Sequence, residues 1–117
     1  MPLIQVQTSA ASPEKPAVDS LLKNLSASLS KHIGKSESYI MTAFEAGATM
    51  TFAGSSDPAC YIAIKSVGSM NPNQTKAMSQ DFCQQVNKSL DVAQNRIYIE
   101  FVDARGAMWG WDGRTFG

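Results

Sequence analysis

Met1-Pro2-Leu3-Ile4-Gln5-Val6-Gln7-Thr8 opens the chain, and the rest of the architecture follows from treating residues 3–8 as a strand. Ile4 and Val6 alternate with Gln5 and Gln7, the period of a strand with one face in a core. Proline after the initiator methionine has a small side chain, so removal of Met1 is expected. That would leave Pro2 with a free secondary amine at the head of a strand. An amine held in a sheet and partly out of water can act as a base or a nucleophile.

The next signal is a helix. Ser12-Pro13-Glu14 offers a capping hydroxyl, a first-turn proline and an acid at the positive dipole end, with Pro16 able to push the start a few residues later. Val18, Leu21, Leu22, Leu25, Leu29 and Ile33 share one helical face, and Gly34 ends the helix. His32, in that last turn, reads as a solvated residue favoured by the dipole. Residues 38–44 read as a second strand, Thr49 to Phe52 as a short extra one, and Cys60 to Ile64 as a strand buried on both faces. Asn71-Pro72 starts a second helix with Met78, Phe82, Val86 and Leu90 on one face, and residues 97–102 give a fourth main strand.

This order contains a repeat. Pro13 recurs as Pro72, and 72 − 13 = 59; Ser38 recurs with the same offset at Ile97. Each half is a β-α-β unit, whose crossover makes its two strands parallel. Two pseudo-repeated units predict an α/β fold: a four-stranded mixed sheet with both helices on one face. The other face would be bare, with Leu3, Tyr61 and Ala63 on it, and another layer must cover it. Self-association is the cheapest way to supply that layer.

Composition narrows the functional classes. The 117 residues suit one domain spanning 1–117, 44% hydrophobic and 17% charged. Ten Lys+Arg balance ten Asp+Glu, which argues against nucleic-acid binding by bulk charge. No apolar run approaches a membrane span, and no signal peptide is visible, so a cytoplasmic setting without a membrane partner is expected. Cys60 and Cys83 form no metal-type or redox-type pair.

Met-Pro at the start, Gly34-Lys35, Tyr39-Ile40, Gly54-Ser55-Ser56-Asp57-Pro58, Ser66-Val67-Gly68, Arg96-Ile97-Tyr98-Ile99 and Gly110-Trp111-Asp112 with Thr115-Phe116 together resemble the macrophage migration inhibitory factor family of the tautomerase superfamily. The resemblance runs end to end. It implies a homotrimer and a cofactor-independent keto–enol tautomerase acting on phenylpyruvate-like α-keto acids or their enols. Pro2 is the implied general base. Lys35 would lower the amine's pKa and pair with the substrate carboxylate. Ser66 and Val67 match the carboxylate-holding segment, with the Val67 N–H as donor. Tyr39, Tyr98 and Phe116 match pocket residues, Tyr98 arriving from the neighbouring subunit.

Three departures accompany the resemblance. Glu100 stands where many members have asparagine, and a rim carboxylate should disfavour anions or position a polar ring substituent. Trp109 replaces a small aliphatic residue, making the pocket mouth narrower or more aromatic. The thiol motif of the animal members is absent: Ala59-Cys60-Tyr61-Ile62 keeps neither cysteine in place, so no thiol–disulfide activity is expected. The alternative to an enzyme is a cytokine-like or protein-binding module with a vestigial pocket, although the receptor positions of the animal members fall on Ser12 and Gly47.

Overall fold

A computed structural model describes residues 1–117. The strands are β1 (Pro2–Thr8), β2 (Met41–Glu45), β3 (Cys60–Val67) and β4 (Ile97–Ala104), and the helices are α1 (Lys15–Ile33) and α2 (Pro72–Leu90). The sheet order is β2-β1-β3-β4. β1 runs parallel to β2 and β3 parallel to β4, while β1 and β3 pair antiparallel in the centre. The two β-α-β units are therefore joined through their first strands. The repeat is real, with a slightly shorter offset than expected: 60 − 2 = 58 for the first strands, 72 − 15 = 57 for the helices and 97 − 41 = 56 for the second strands.

The core lies between the sheet and the helices. Ile4 and Val6 of β1 and Ile62 and Ile64 of β3 meet Leu25 and Leu29 of α1 and Met78, Phe82 and Val86 of α2, all fully buried. Their spacing of two along strands and four along helices puts these side chains on single faces.

Local chemistry explains the boundaries. Asn71 accepts from the Gln74 N–H at 2.8 Å, and the Gln74 side chain accepts from the Asn71 N–H at 2.9 Å, a reciprocal cap that fixes the start of α2. α1 lacks such a cap. Ser12 donates to the Pro13 carbonyl instead, Glu14 is the boundary residue, and Pro16 occupies the first turn, so the helix starts later than Pro13. Gly34, at φ 67°, closes α1 through its N–H on the Ser30 carbonyl.

Four other expectations need correction. Residues 37–39 form a 3-10 turn before β2, because Ser36 and Ser38 satisfy each other and the local backbone. Thr49 to Phe52 form no strand; only Phe52 bridges to Ser55. β3 and β4 each extend past the expected ends to eight residues. His32 is half-buried and paired rather than freely solvated: its Nε2 lies 2.7 Å from Asp81 of α2, and its ring meets Phe82 edge-on at 5.6 Å. Sequence cannot reveal that second helix crossing over the last turn of the first.

The far face of the sheet carries Leu3, Gln5, Gln7, Tyr61, Lys65, Tyr98, Glu100 and Val102, all at least partly exposed. Ala63 lies there too but is only 1% exposed, so the apolar surface is less continuous than expected. Gln7 donates to Glu45 at 2.7 Å and Tyr61 donates to Glu100.

Gly34→Ala separates backbone strain from crowding, since nothing lies within 4 Å of an added Cβ. We predict a loss of about 1 kcal/mol from the left-handed backbone alone, measured by urea unfolding at fixed protein concentration. An unchanged midpoint contradicts the role of this cap.

Candidate active site at the head of the first strand

Pro2 is buried and pairs with Ser66 across the central seam. Two groups of residues converge on it. The first contains Lys35, placed by the end of α1. The Lys35 N–H donates to the Ser30 carbonyl at 3.3 Å, and the Ser30 hydroxyl donates to the Lys35 carbonyl at 2.5 Å. The side chain then reaches β3, where Nζ donates to Ser66 Oγ at 3.1 Å and to the Val67 carbonyl. Ser66 is only 1% exposed, so the ammonium sits on a fixed hydroxyl. Gly68 follows at φ 97°, and a Cβ there would lie 3.6 Å from Lys35 Nζ.

With Met1 in place, the Pro2 nitrogen is an amide, and the basic group is the Met1 α-amine. Burial holds that amine below its ordinary value of 8.0, reinforced by repulsion from the Lys35 ammonium and a hydrogen bond with it. The sign favours the neutral amine. Between the lowered value and 8.0 the unfolded chain holds more protons, so this group adds stability as pH rises through that window. The Lys35 field therefore reaches the start of the chain.

The second group is aromatic. A cleft of about 410 Å³ is lined by Met1, Pro2 and Leu3, by Ser38 to Met41, and by Trp109, Gly110 and Trp111. Its size is that of small-molecule sites, roughly 300–1,000 Å³. Its far wall is a short hairpin of β5 (Gly110–Trp111) and β6 (Arg114–Thr115). Trp111 meets Tyr39 edge-on at 6.0 Å and stacks on Phe116 at 6.1 Å. Phe116 thus backs the cleft through Trp111, and its N–H is held by the carbonyls of Gly106 and Trp109.

Of the expected site residues, Pro2, Tyr39 and Trp109 line the cleft and Phe116 stands behind Trp111, whereas Lys35, Ser66 and Val67 gather beside Pro2 and are not among the residues lining it. The contact recorded for Val67 is its carbonyl on Lys35. Trp111 and Met41 line the cleft without having been singled out as pocket residues. Trp111 belonged to a quoted motif, whereas nothing in the strand pattern marks Met41.

Tyr98 and Glu100 lie elsewhere. Pro2 is in register with Ser66, and Ser66 with Asp103. Tyr98 is 103 − 98 = 5 residues further down β4, about 16 Å away at roughly 3.3 Å per residue, and one chain cannot bring it to Pro2. Glu100 lies on the far sheet face, its carboxylate accepting from Tyr61; that hydrogen bond, more than burial, raises the Tyr61 pKa.

Cys60 is buried, and burial pushes its thiol up to about 12; burial also raises Cys83. Neither environment favours a thiolate. No group of three or more metal-ligating side chains comes together, and no helix is long and apolar enough to cross a membrane.

The family model described as macrophage migration inhibitory factor matches residues 1–117. The macrophage migration inhibitory factor homolog of Brugia malayi is 32% identical over 117 residues, covering 100% of both chains. The macrophage migration inhibitory factor of Xenopus tropicalis is 34% identical over 116 residues, covering 99% of each. The crystal structure of the homologue from Prochlorococcus marinus superposes with a TM-score of 0.91 at 39% identity, over 98% of this chain and 99% of that one.

The cleft wall can be disturbed without touching the core, because no residue from 105 to 117 is buried. A Cβ on Gly106 would meet the Phe116 carbonyl oxygen at 2.6 Å. Gly106→Ala should therefore detach Phe116 and unstack Trp111. We predict a red-shifted, more readily quenched tryptophan emission, since Trp109 and Trp111 are the only tryptophans, with little change in the urea midpoint. Unaltered emission contradicts this account of the wall.

Proposed function

Since the chain belongs to the macrophage migration inhibitory factor family, in which tautomerase activity and cytokine-like roles both occur, we propose that it is a cofactor-independent keto–enol tautomerase of phenylpyruvate-like α-keto acids, with Pro2 as general base after removal of Met1. The observation that carries this reading is the Lys35 ammonium, anchored on Ser66 and Val67 beside the start of the chain, where burial first and that cation second lower the pKa of the Met1 α-amine. Without Met1 the basic nitrogen belongs to Pro2 itself, inside the strand and opposite Ser66.

The residues suit the reaction in a definite order. The substrate carboxylate pairs with Lys35 and with the Val67 N–H, and the aromatic ring lies between Tyr39, Trp109 and Trp111. The neutral Pro2 amine takes a proton from the carbon beside the keto group. Negative charge moves to the carbonyl oxygen, which is protonated to give the enol, and Pro2 releases its proton to water. The balance is one proton moved from carbon to oxygen, with no oxidant or reductant. A base with a pKa near the working pH is most effective, and an α-amine near ~7.7–8.0 lowered by burial and a cation meets that need.

Tyr98 would reach this site only from another copy, since in its own chain it lies five residues along β4 from the level of Pro2. A homotrimer that covers the far face of each sheet would deliver it. Glu100, two residues along β4 from Tyr98, would enter with it and favour rings bearing a hydrogen-bond donor over rings bearing an anion.

Chemical synthesis gives the chain with and without Met1. We predict phenylpyruvate enolisation by the chain that begins at Pro2, and a loss of about 10²-fold or more when Met1 is retained, the range for removing a general base. Both forms should give the same circular dichroism spectrum. Equal activity in the two forms contradicts the proposal, as does inactivity of both.

A further inference from the structure

Tyr98 is an exposed aromatic, 66% accessible, yet it is held. Its ring meets Phe52 edge-on, with centroids 4.9 Å apart and planes at 66°. Phe52 is itself fixed by its loop. Phe52 and Ser55 exchange two backbone hydrogen bonds, each 3.0 Å, around Ala53 at φ 53° and Gly54 at φ 73°. Two consecutive positive φ values make this the tight turn of a hairpin.

Arg96 then ties the loop to the base of β4, two residues before Tyr98. Its Nε donates to the Pro58 carbonyl at 2.9 Å and Nη1 to the Phe52 carbonyl at 3.2 Å. Its Nη2 donates to the carbonyls of Ser55 at 3.1 Å and Asp57 at 2.9 Å. The guanidinium carbon also lies 5.3 Å from the Phe52 ring centroid. Four carbonyls and one ring face use the planar fork of an arginine in a way that lysine cannot copy.

Such a clamp ordinarily serves the core. Here residues 51–58 include no buried side chain, and the aromatic ring packed against Phe52 is that of Tyr98. The stiffness of the loop is therefore delivered to one phenol on an open sheet face.

We infer that Arg96 and Phe52 are positioning residues that hold Tyr98 in a single orientation toward the aromatic ring of a substrate bound in a neighbouring copy's cleft. This rests on the proposed function, in which Tyr98 completes that cleft. Neither residue touches the reacting atoms, so the brace sets affinity for aromatic substrates and leaves proton transfer alone.

The test uses the full chain after Met1 removal, comparing the parent with Arg96→Lys, Phe52→Leu and Phe52→Ala. We expect KM for phenylpyruvate to rise about two- to tenfold, the scale of one lost aromatic pair, with kcat and the pH–rate profile unchanged. Phe52→Leu, which keeps bulk at the position, guards against a Phe52→Ala variant that fails to fold. Labelling with 3-fluorotyrosine gives an independent readout, because the chain has three tyrosines and Tyr98→Phe identifies one resonance. That resonance should shift or broaden in Arg96→Lys and Phe52→Leu. An unmoved resonance overturns the inference, and so does a moved resonance with unaltered KM. If the parent itself proves inactive, the proposed function falls. The Kd of phenylpyruvate from the fluorine spectra then replaces KM, and equal Kd values in parent and variants overturn the brace.

Discussion

The antiparallel pairing of β1 with β3 is the constraint on which the rest depends. Seven residue pairs, from Pro2 opposite Ser66 to Thr8 opposite Cys60, join the two β-α-β halves. Every second pair is buried beneath the helices, so a register slip of one residue would turn either Ile4 and Val6 or Ile62 and Ile64 out of the core. The same register fixes a chain terminus, ordinarily the loosest part of a domain. Pro2 lies opposite Ser66 because Ile4 lies opposite Ile64. Core packing thus aims the start of the chain at the hydroxyl that holds Lys35, and fold and site share one set of hydrogen bonds.

That arrangement also explains the separation of the remaining aromatic residues. The cleft sits where β1 and β2 begin and the C-terminal hairpin returns, whereas Tyr98 sits at the start of β4, the opposite end of the sheet. The far face between them mixes apolar side chains with Gln7 bonded to Glu45 and Tyr61 bonded to Glu100. Two polar pairs on this partly apolar face are already joined, while Gln5 and Lys65 have no side-chain partner within the chain and would need one from a neighbouring copy on burial. Under the proposed function, one chain would supply the base and its cation, and a neighbouring chain would finish the aromatic pocket.

Much of this was legible in the sequence. The spacing of Leu21, Leu25 and Leu29, and of Met78, Phe82, Val86 and Leu90, located both buried helix faces, and Gly34 and Asn71 marked an end and a start through their own backbone chemistry. Periodicity was silent wherever side chains satisfy one another locally. Ser36 with Ser38 makes a turn from a stretch rich in strand formers, and His32 finds Asp81 across a helix contact that no local pattern encodes. The C-terminal hairpin has two-residue strands with no buried side chain, too short to carry a hydrophobic period, so Trp111 was visible as part of a motif but not as a wall. Lys35 alone resembles any charge after a helix. Its significance came from the family resemblance, and its geometry from the contact with Ser66.

Whether Pro2 works as a base depends on burial and Lys35 together keeping its terminal amine neutral. The most direct measurement is a ¹⁵N NMR titration of that amine, labelled at Pro2, in the chain lacking Met1 and in its Lys35→Met variant. Burial and the Lys35 cation predict a pKa below that of the same Pro2 amine in the urea-unfolded chain, rising in the folded chain when the cation is removed. A folded value at or above the unfolded one, or one that does not change in Lys35→Met, would contradict this.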